Sequence, residues 1–236
     1  MTRSPIALVL RRALPALALV VVAACGGGGG GGSDPTGADL GIDADRLEDS
    51  VLYTEETFPP EHCAVVEGAV EAPGTRRLLR FDTVIVNHGD VHVRFGDPVD
   101  PLPPLEAVDF EWSPCHGHFH LSNWSDYHLE DDLGVIVAQG HKQAFCLRDN
   151  VQYVPGTFPQ GFDCDDQGLS AGWADIYDRT LDGQWVDITD VVPGDYWLVV
   201  TTDNADYVEE PVDTSPNEVR VRVTLPPLDA VLPDGP

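Results

Sequence analysis

The tightest constraint on the fold is the segment VRVRVT at 219–224, where valine and arginine alternate without a break. A strand sends successive side chains to opposite faces, so this period of two puts the valines on a core and the arginines in water. Short β-branched or aromatic runs recur at LLRFDTVIV (78–86), VHVRF (91–95), LGVIVAQ (133–139) and YWLVVTT (196–202). Asn87-His88-Gly89-Asp90 reads as a hairpin-like turn between the first two, and Pro193-Gly194-Asp195 as the turn opening the last. No stretch carries a sustained helical period with caps. The chain is expected to be all-β, a β-sandwich-like single domain with long loops. The proline-rich stretch 98–104 does not suit a central strand. Residues 147–183, rich in Asp, Gly and Pro, form the long irregular part.

The first 24 residues read as a signal peptide. Arg3, Arg11 and Arg12 precede an apolar run from Ala13 to Ala24 that is too short to remain as an anchor. The run ends Val22-Ala23-Ala24-Cys25, which resembles the lipobox of prokaryotic lipoproteins, with Cys25 the lipidated residue; an incidental cysteine after an ordinary leader is the alternative. The unbroken glycines 26–32 and the polar residues up to 48 form a flexible tether. The formal charge is −27, and removing residues 1–24 deletes three arginines and no acid. Such acidity excludes a nucleic-acid partner. It attracts cationic substrates, weakly in salt, and equally serves to keep an exported protein soluble. Beyond Cys25 four cysteines remain, Cys63, Cys115, Cys146 and Cys164, an even number that reads as two disulfides with three possible pairings.

Two features carry chemistry. In EWSPCHGHFH (111–120), His116, His118 and His120 alternate with Gly117 and Phe119. On a strand they would line one face, a row suited to a first-row transition ion that favours imidazole, copper or zinc above all; a solvated histidine tract is the plain alternative. Lys142, in GHKQAFC, is the only lysine in the chain. Lysine supplies an amine nucleophile when its pKa is lowered, which arginine does not. A single surviving surface lysine would mean nothing.

CHGHFH, GHKQAFC and GLSAGWADIYDRTLDGQWVDITDVVPGDY, in that order, resemble the catalytic domain of the lysyl oxidase family. The likeness runs from about residue 50 to 224. It implies a catalytic domain at 49–224 with a Pro-rich tail at 225–236. The activity implied is that of a copper amine oxidase of the protein-lysine 6-oxidase type, taking primary amines and dioxygen to aldehydes, hydrogen peroxide and ammonia. The resemblance implies copper(II) on His116, His118 and His120, and a lysine tyrosylquinone made from Lys142 and Tyr177. It makes Asp175 a candidate base, beside His128, His141 and Asp126. Trp173 and Gly183 stand where vertebrate members carry cysteines. By analogy Cys146 pairs with Cys164 and Cys63 with Cys115. Calcium, bound by some members through an acidic C-terminal segment, rests here on Asp213 and Asn217 within EEPVDTSPNEV. The protein would then be an extracytoplasmic lipoprotein, tethered to the membrane through its lipid alone. The competing readings are a copper-binding β-domain that never builds the quinone, and a zinc hydrolase using the same histidines with water.

Overall fold

The structure is a computed structural model and describes residues 37–101, 108–140, 146–211 and 214–236. Its strands, in chain order, begin with β1 (Leu40–Ile42), β2 (Leu52–Phe58), β3 (Gly74–Arg80), β4 (Thr83–Asn87), β5 (Val93–Asp97) and β6 (Asp100–Pro101). There follow β7 (Phe110–Ser113), β8 (His118–Leu121), β9 (Ser125–Glu130), β10 (Ile136–Gln139) and β11 (Val151–Gln152). The last are β12 (Gln167–Leu169), β13 (Trp173–Tyr177), β14 (Trp185–Asp187), β15 (Gly194–Thr202) and β16 (Glu218–Leu225). Two short helices, α1 (Ala44–Asp49) and α2 (Cys63–Val66), complete the elements. The domain is all-β, as the periodicity predicts, and the strands pair antiparallel in five small sheets.

The principal core lies between the sheet β10-β9-β15-β16 and the sheet β14-β3-β2. On β16 the alternation is realised: Val219, Val221, Val223 and Leu225 are buried, and Arg220 and Arg222 are exposed. Tyr127, Leu129, Leu198 and Val200 join them from β9 and β15, and Leu79 and Val186 from the facing sheet. A second core gathers Leu40, Ile85, Phe95, Leu121 and Trp124 around Tyr177.

Several expectations need correction. The stretch 78–86 breaks after Arg80 into β3 and β4, which belong to different sheets. Asn87–Asp90 makes no hairpin, because β4 pairs with β1 and β13 while β5 pairs with β12 and β6. The buried Asn87 side chain is the reason. It donates to the carbonyls of Val91 (2.9 Å) and Leu169 (3.1 Å), accepts from Gly89 N (3.1 Å), and turns the chain out of its sheet.

Of the apolar run at 133–139 only Ile136–Gln139 forms a strand, the edge strand β10, and Leu133 in the turn before it is 87% exposed. The irregular stretch 147–183 contains three short strands, β11 to β13. It is organised by buried Asp149, which accepts from Gly161 N, Phe162 N, Ser170 N and Ser170 Oγ at 2.7–3.3 Å.

The tether boundary also shifts. Residues 40–49 form β1 and α1, with Leu40 and Leu47 fully buried, because these apolar side chains close the two cores. The C-terminal tail is likewise held, Gly235 N donating to Glu55 O (3.0 Å) and Glu55 N to Pro233 O (2.9 Å). The leader, Cys25 and the glycine run lie outside the described residues, among which no helix is long and apolar enough to cross a membrane.

Candidate metal and quinone site

The histidine segment is a hairpin rather than one straight strand. In the β7–β8 pair Ser113 faces His118 and Glu111 faces His120. His118 and His120 therefore share a face of β8, whereas His116 stands in the preceding turn, which Gly117 closes at φ +70°. The turn returns His116 to its partners: ring centres lie 6.0 Å apart for His116–His118, 5.2 Å for His116–His120 and 5.0 Å for His118–His120. Three groups pin that turn. Ser113 O accepts from Gly117 N (2.8 Å), Ser113 Oγ accepts from His116 N (3.2 Å), and the Cys63–Cys115 disulfide ties it to α2. Glu67, capping the C-terminus of α2, accepts from Ser113 Oγ (2.8 Å) and faces His116 Nε2 at 3.1 Å.

These residues suit a transition ion in type and spacing. An imidazole nitrogen binds such an ion at roughly 2.0–2.1 Å, so rings sharing one have centres roughly 4.5–5.5 Å apart. Two of the three separations fall in that range. His118 Nε2 is buried without a hydrogen-bond partner among the described residues. Burial, with His116 beside it, holds the His118 imidazole below its ordinary pKa, which keeps the ring neutral and able to donate its lone pair. No three such groups already converge among the described residues, so the rings must turn to share an ion.

A cavity of about 270 Å³ opens beside this hairpin, lined by His118, Arg148, Asn150, Asp175, Tyr177 and Leu181 among others. Asp175 and Tyr177 lie two apart on β13, facing Ile85 and Thr83 of β4, so both side chains fall on one face of the strand. Both are buried. Burial first, then the charge and hydrogen bond of Asp175, pushes the Tyr177 phenol well above its ordinary pKa. Asp175 also accepts from Arg148 N at 3.3 Å. The Cys146–Cys164 disulfide forms part of the same wall. Both disulfides are the pairs that the resemblance implies.

Of the residues named from sequence, the structure thus gathers His118, Asp175 and Tyr177 around one cavity, with His116 and His120 adjoining. Lys142 and His141 lie outside the described residues; Cys146, four residues beyond Lys142 in the chain, lines the cavity. His128 and Asp126 are not brought there. They sit on the outer face of β9, His128 Nε2 against Glu130 (2.9 Å) and Asp126 accepting from Gln139 Nε2 (2.7 Å). Asp213 is outside the described residues, and the Asn217 amide donates to Glu210 at 2.5 Å. Sequence reasoning missed Glu67 and Arg148. Glu67 is 49 positions from His116, and only the Cys63–Cys115 pairing implied by the resemblance hinted that α2 approaches the histidine turn.

Residues 46–230 match the family model described as Lysyl oxidase. Lysyl oxidase homolog 2 from Homo sapiens and from Pongo abelii are each 34% identical over 183 residues, covering 75% of this chain and 22% of theirs. Lysyl oxidase homolog 2B from Danio rerio is 34% identical over 182 residues, with the same coverage. The chain spans about a fifth of the length of these curated relatives. With the family model matched over most of its length, this chain belongs to the lysyl oxidase family.

Proposed function

We propose that the protein is a copper amine oxidase that deaminates primary amines to aldehydes. The observation that carries this reading is the single cavity shared by His118, Asp175 and Tyr177. His116, His118 and His120 would hold copper(II), with Glu67 fixing the His116 ring as carboxylates commonly fix metal-bound histidines. Copper with dioxygen would supply the oxidising power for the phenol, and a lysine tyrosylquinone of Lys142 and Tyr177 would supply the electron sink for the amine. The chain's own part is to position and to exclude water. β13 presents Tyr177 from a buried register, and Asp175 is the carboxylate within reach of a proton at that cavity. Burial and the charge of Asp175 disfavour the phenolate and keep Tyr177 protonated.

Export fits this chemistry, since both disulfides belong to an oxidising compartment. The leader 1–24 and lipidated Cys25 would place the domain at an extracytoplasmic membrane surface. The test is redox-cycling quinone staining of copper-loaded protein matured in air, beside Lys142→Arg and Tyr177→Phe. Staining of the wild type alone, with the Lys142 and Tyr177 peptides joined on mass mapping, is the expected result. Staining that survives either substitution refutes the cross-link, and copper binding without staining leaves a metal-binding module.

A further inference from the structure

Arg148 is anomalous in this chain. Acidic residues outnumber basic ones 40 to 13, and seven of the nine described arginines have a guanidinium nitrogen within 4.0 Å of a carboxylate oxygen. An eighth, Arg179, donates to the Ser50 carbonyl at 2.7 Å. Arg148 alone among them has neither an ion pair nor a side-chain hydrogen bond. With so many carboxylates on the surface, a guanidinium left without one is not explained by want of partners. Its place is specific. It is an exposed residue on the wall of the cavity that holds Tyr177 and Asp175. Its backbone is fixed on both sides, by the Arg148 N–Asp175 bond and the Cys146–Cys164 disulfide before it and by the Asp149 N–Phe162 O bond (3.3 Å) after it. Among the described residues the only carboxylate lining this cavity is Asp175, which is buried and faces the phenol.

We propose that Arg148 is the anion-recognition element of the substrate site, so that the preferred substrates are primary amines carrying a carboxylate a few carbons from the amine. This rests on the amine oxidase reading above. A guanidinium fork matches a carboxylate in geometry, and such pairs are stronger than neutral hydrogen bonds. The overall negative charge attracts any amine from a distance, but in physiological salt charge is screened beyond roughly 8 Å. Within the cavity the nearby guanidinium therefore decides which substrate is held. It accepts the anionic end of an amino acid and repels the second ammonium of a diamine.

The probes are 6-aminohexanoate and 1,5-diaminopentane, matched in chain length and opposite in the charge of the far end. The readout is the ratio of their kcat/KM values, from peroxide release by copper-matured protein. Arg148→Ala should lower that ratio about tenfold or more, which is about 1.4 kcal/mol per tenfold. Arg148→Lys should retain part of the preference and Arg148→Glu should invert it. Acetyl-Glu-Lys-amide against acetyl-Lys-amide, run in parallel, distinguishes a carboxylate on a peptide neighbour from one on a free amino acid. A ratio that stays constant across all three substitutions overturns the proposal. Should wild type oxidise neither probe, the oxidase reading fails by itself. Calorimetric titration of 6-aminohexanoate then still decides: tighter binding to wild type than to Arg148→Ala supports the anion site, and equal binding removes it.

Discussion

At the scale of single residues, Glu67 would do for the proposed metal site what no ligand does for itself. One carboxylate oxygen takes the Ser113 hydroxyl and the other faces His116 Nε2, so the ring farthest from the strand is aimed by a helix cap. Loss of such an outer partner typically costs about 10–100-fold in metal affinity. Glu67→Gln should weaken copper(II) binding in that range and alter the copper electron paramagnetic resonance spectrum, while unchanged affinity and spectrum would exclude a positioning role. A different carboxyl reports on stability. Asp203 is pushed up to about 6, first by burial, although Tyr207 N and Val208 N donate to it. Its folded value exceeds its ordinary 3.8, so its contribution is complete below about pH 4 and lost as pH rises through 6. The melting temperature of wild type minus that of Asp203→Asn should therefore fall between pH 4 and 7.5. A constant difference would rule this out. The spacing of Asp175 and Tyr177, two apart in the amino-acid order, made Asp175 one candidate among four, and the structure sets both on one face of β13. Glu67 and Arg148 were not legible in that order, since nothing local in the chain links them to the histidines or to β13.

At the scale of elements, the molecule rests on alternation that reaches the core intact. β15 is flanked by β9 and β16 and places Leu198 and Val200 at the centre of the larger core. Leu198→Ala should destabilise by about 2–5 kcal/mol, the usual range for emptying a fully buried site. Chemical denaturation measures it, and a loss below about 1 kcal/mol would mean that the core collapses into the gap. The misread elements share a cause. The stretch 78–86 has strand composition throughout, yet Phe81 and Asp82 form a corner, and the Asp82 carboxylate accepts from Arg46 Nε (2.7 Å) and Arg179 N (2.8 Å). Composition reports strand preference, but which sheet a strand enters depends on such distant partners.

At the scale of the whole molecule, a formal charge of −27 makes self-repulsion a general cost of compactness. The melting temperature should rise from about 10 mM to about 500 mM sodium chloride as that repulsion is screened. A fall over the same range would show that screening of the internal pairs, such as Arg80 with Glu56 at 2.5 Å, outweighs it. The same acidity gives the unpaired Arg148 its meaning, since only against a surplus of carboxylates does a lone guanidinium stand out.

The amino-acid order by itself determined the β class, the inward face of β16, the histidine alternation and the residues to be placed around Tyr177. The first three follow from side-chain type and a period of two along one segment, and the last from the resemblance of the motifs to the lysyl oxidase family. Only the tertiary structure decided that His116 reaches its partners through a turn, that Asn87 sends two adjacent strands into different sheets, and that residues 40–49 close the cores. It alone also decided which candidate base meets the phenol. Those outcomes depend on contacts between segments far apart in the chain, where directional hydrogen bonds and close packing, not local preference, choose among the paths that the sequence allows.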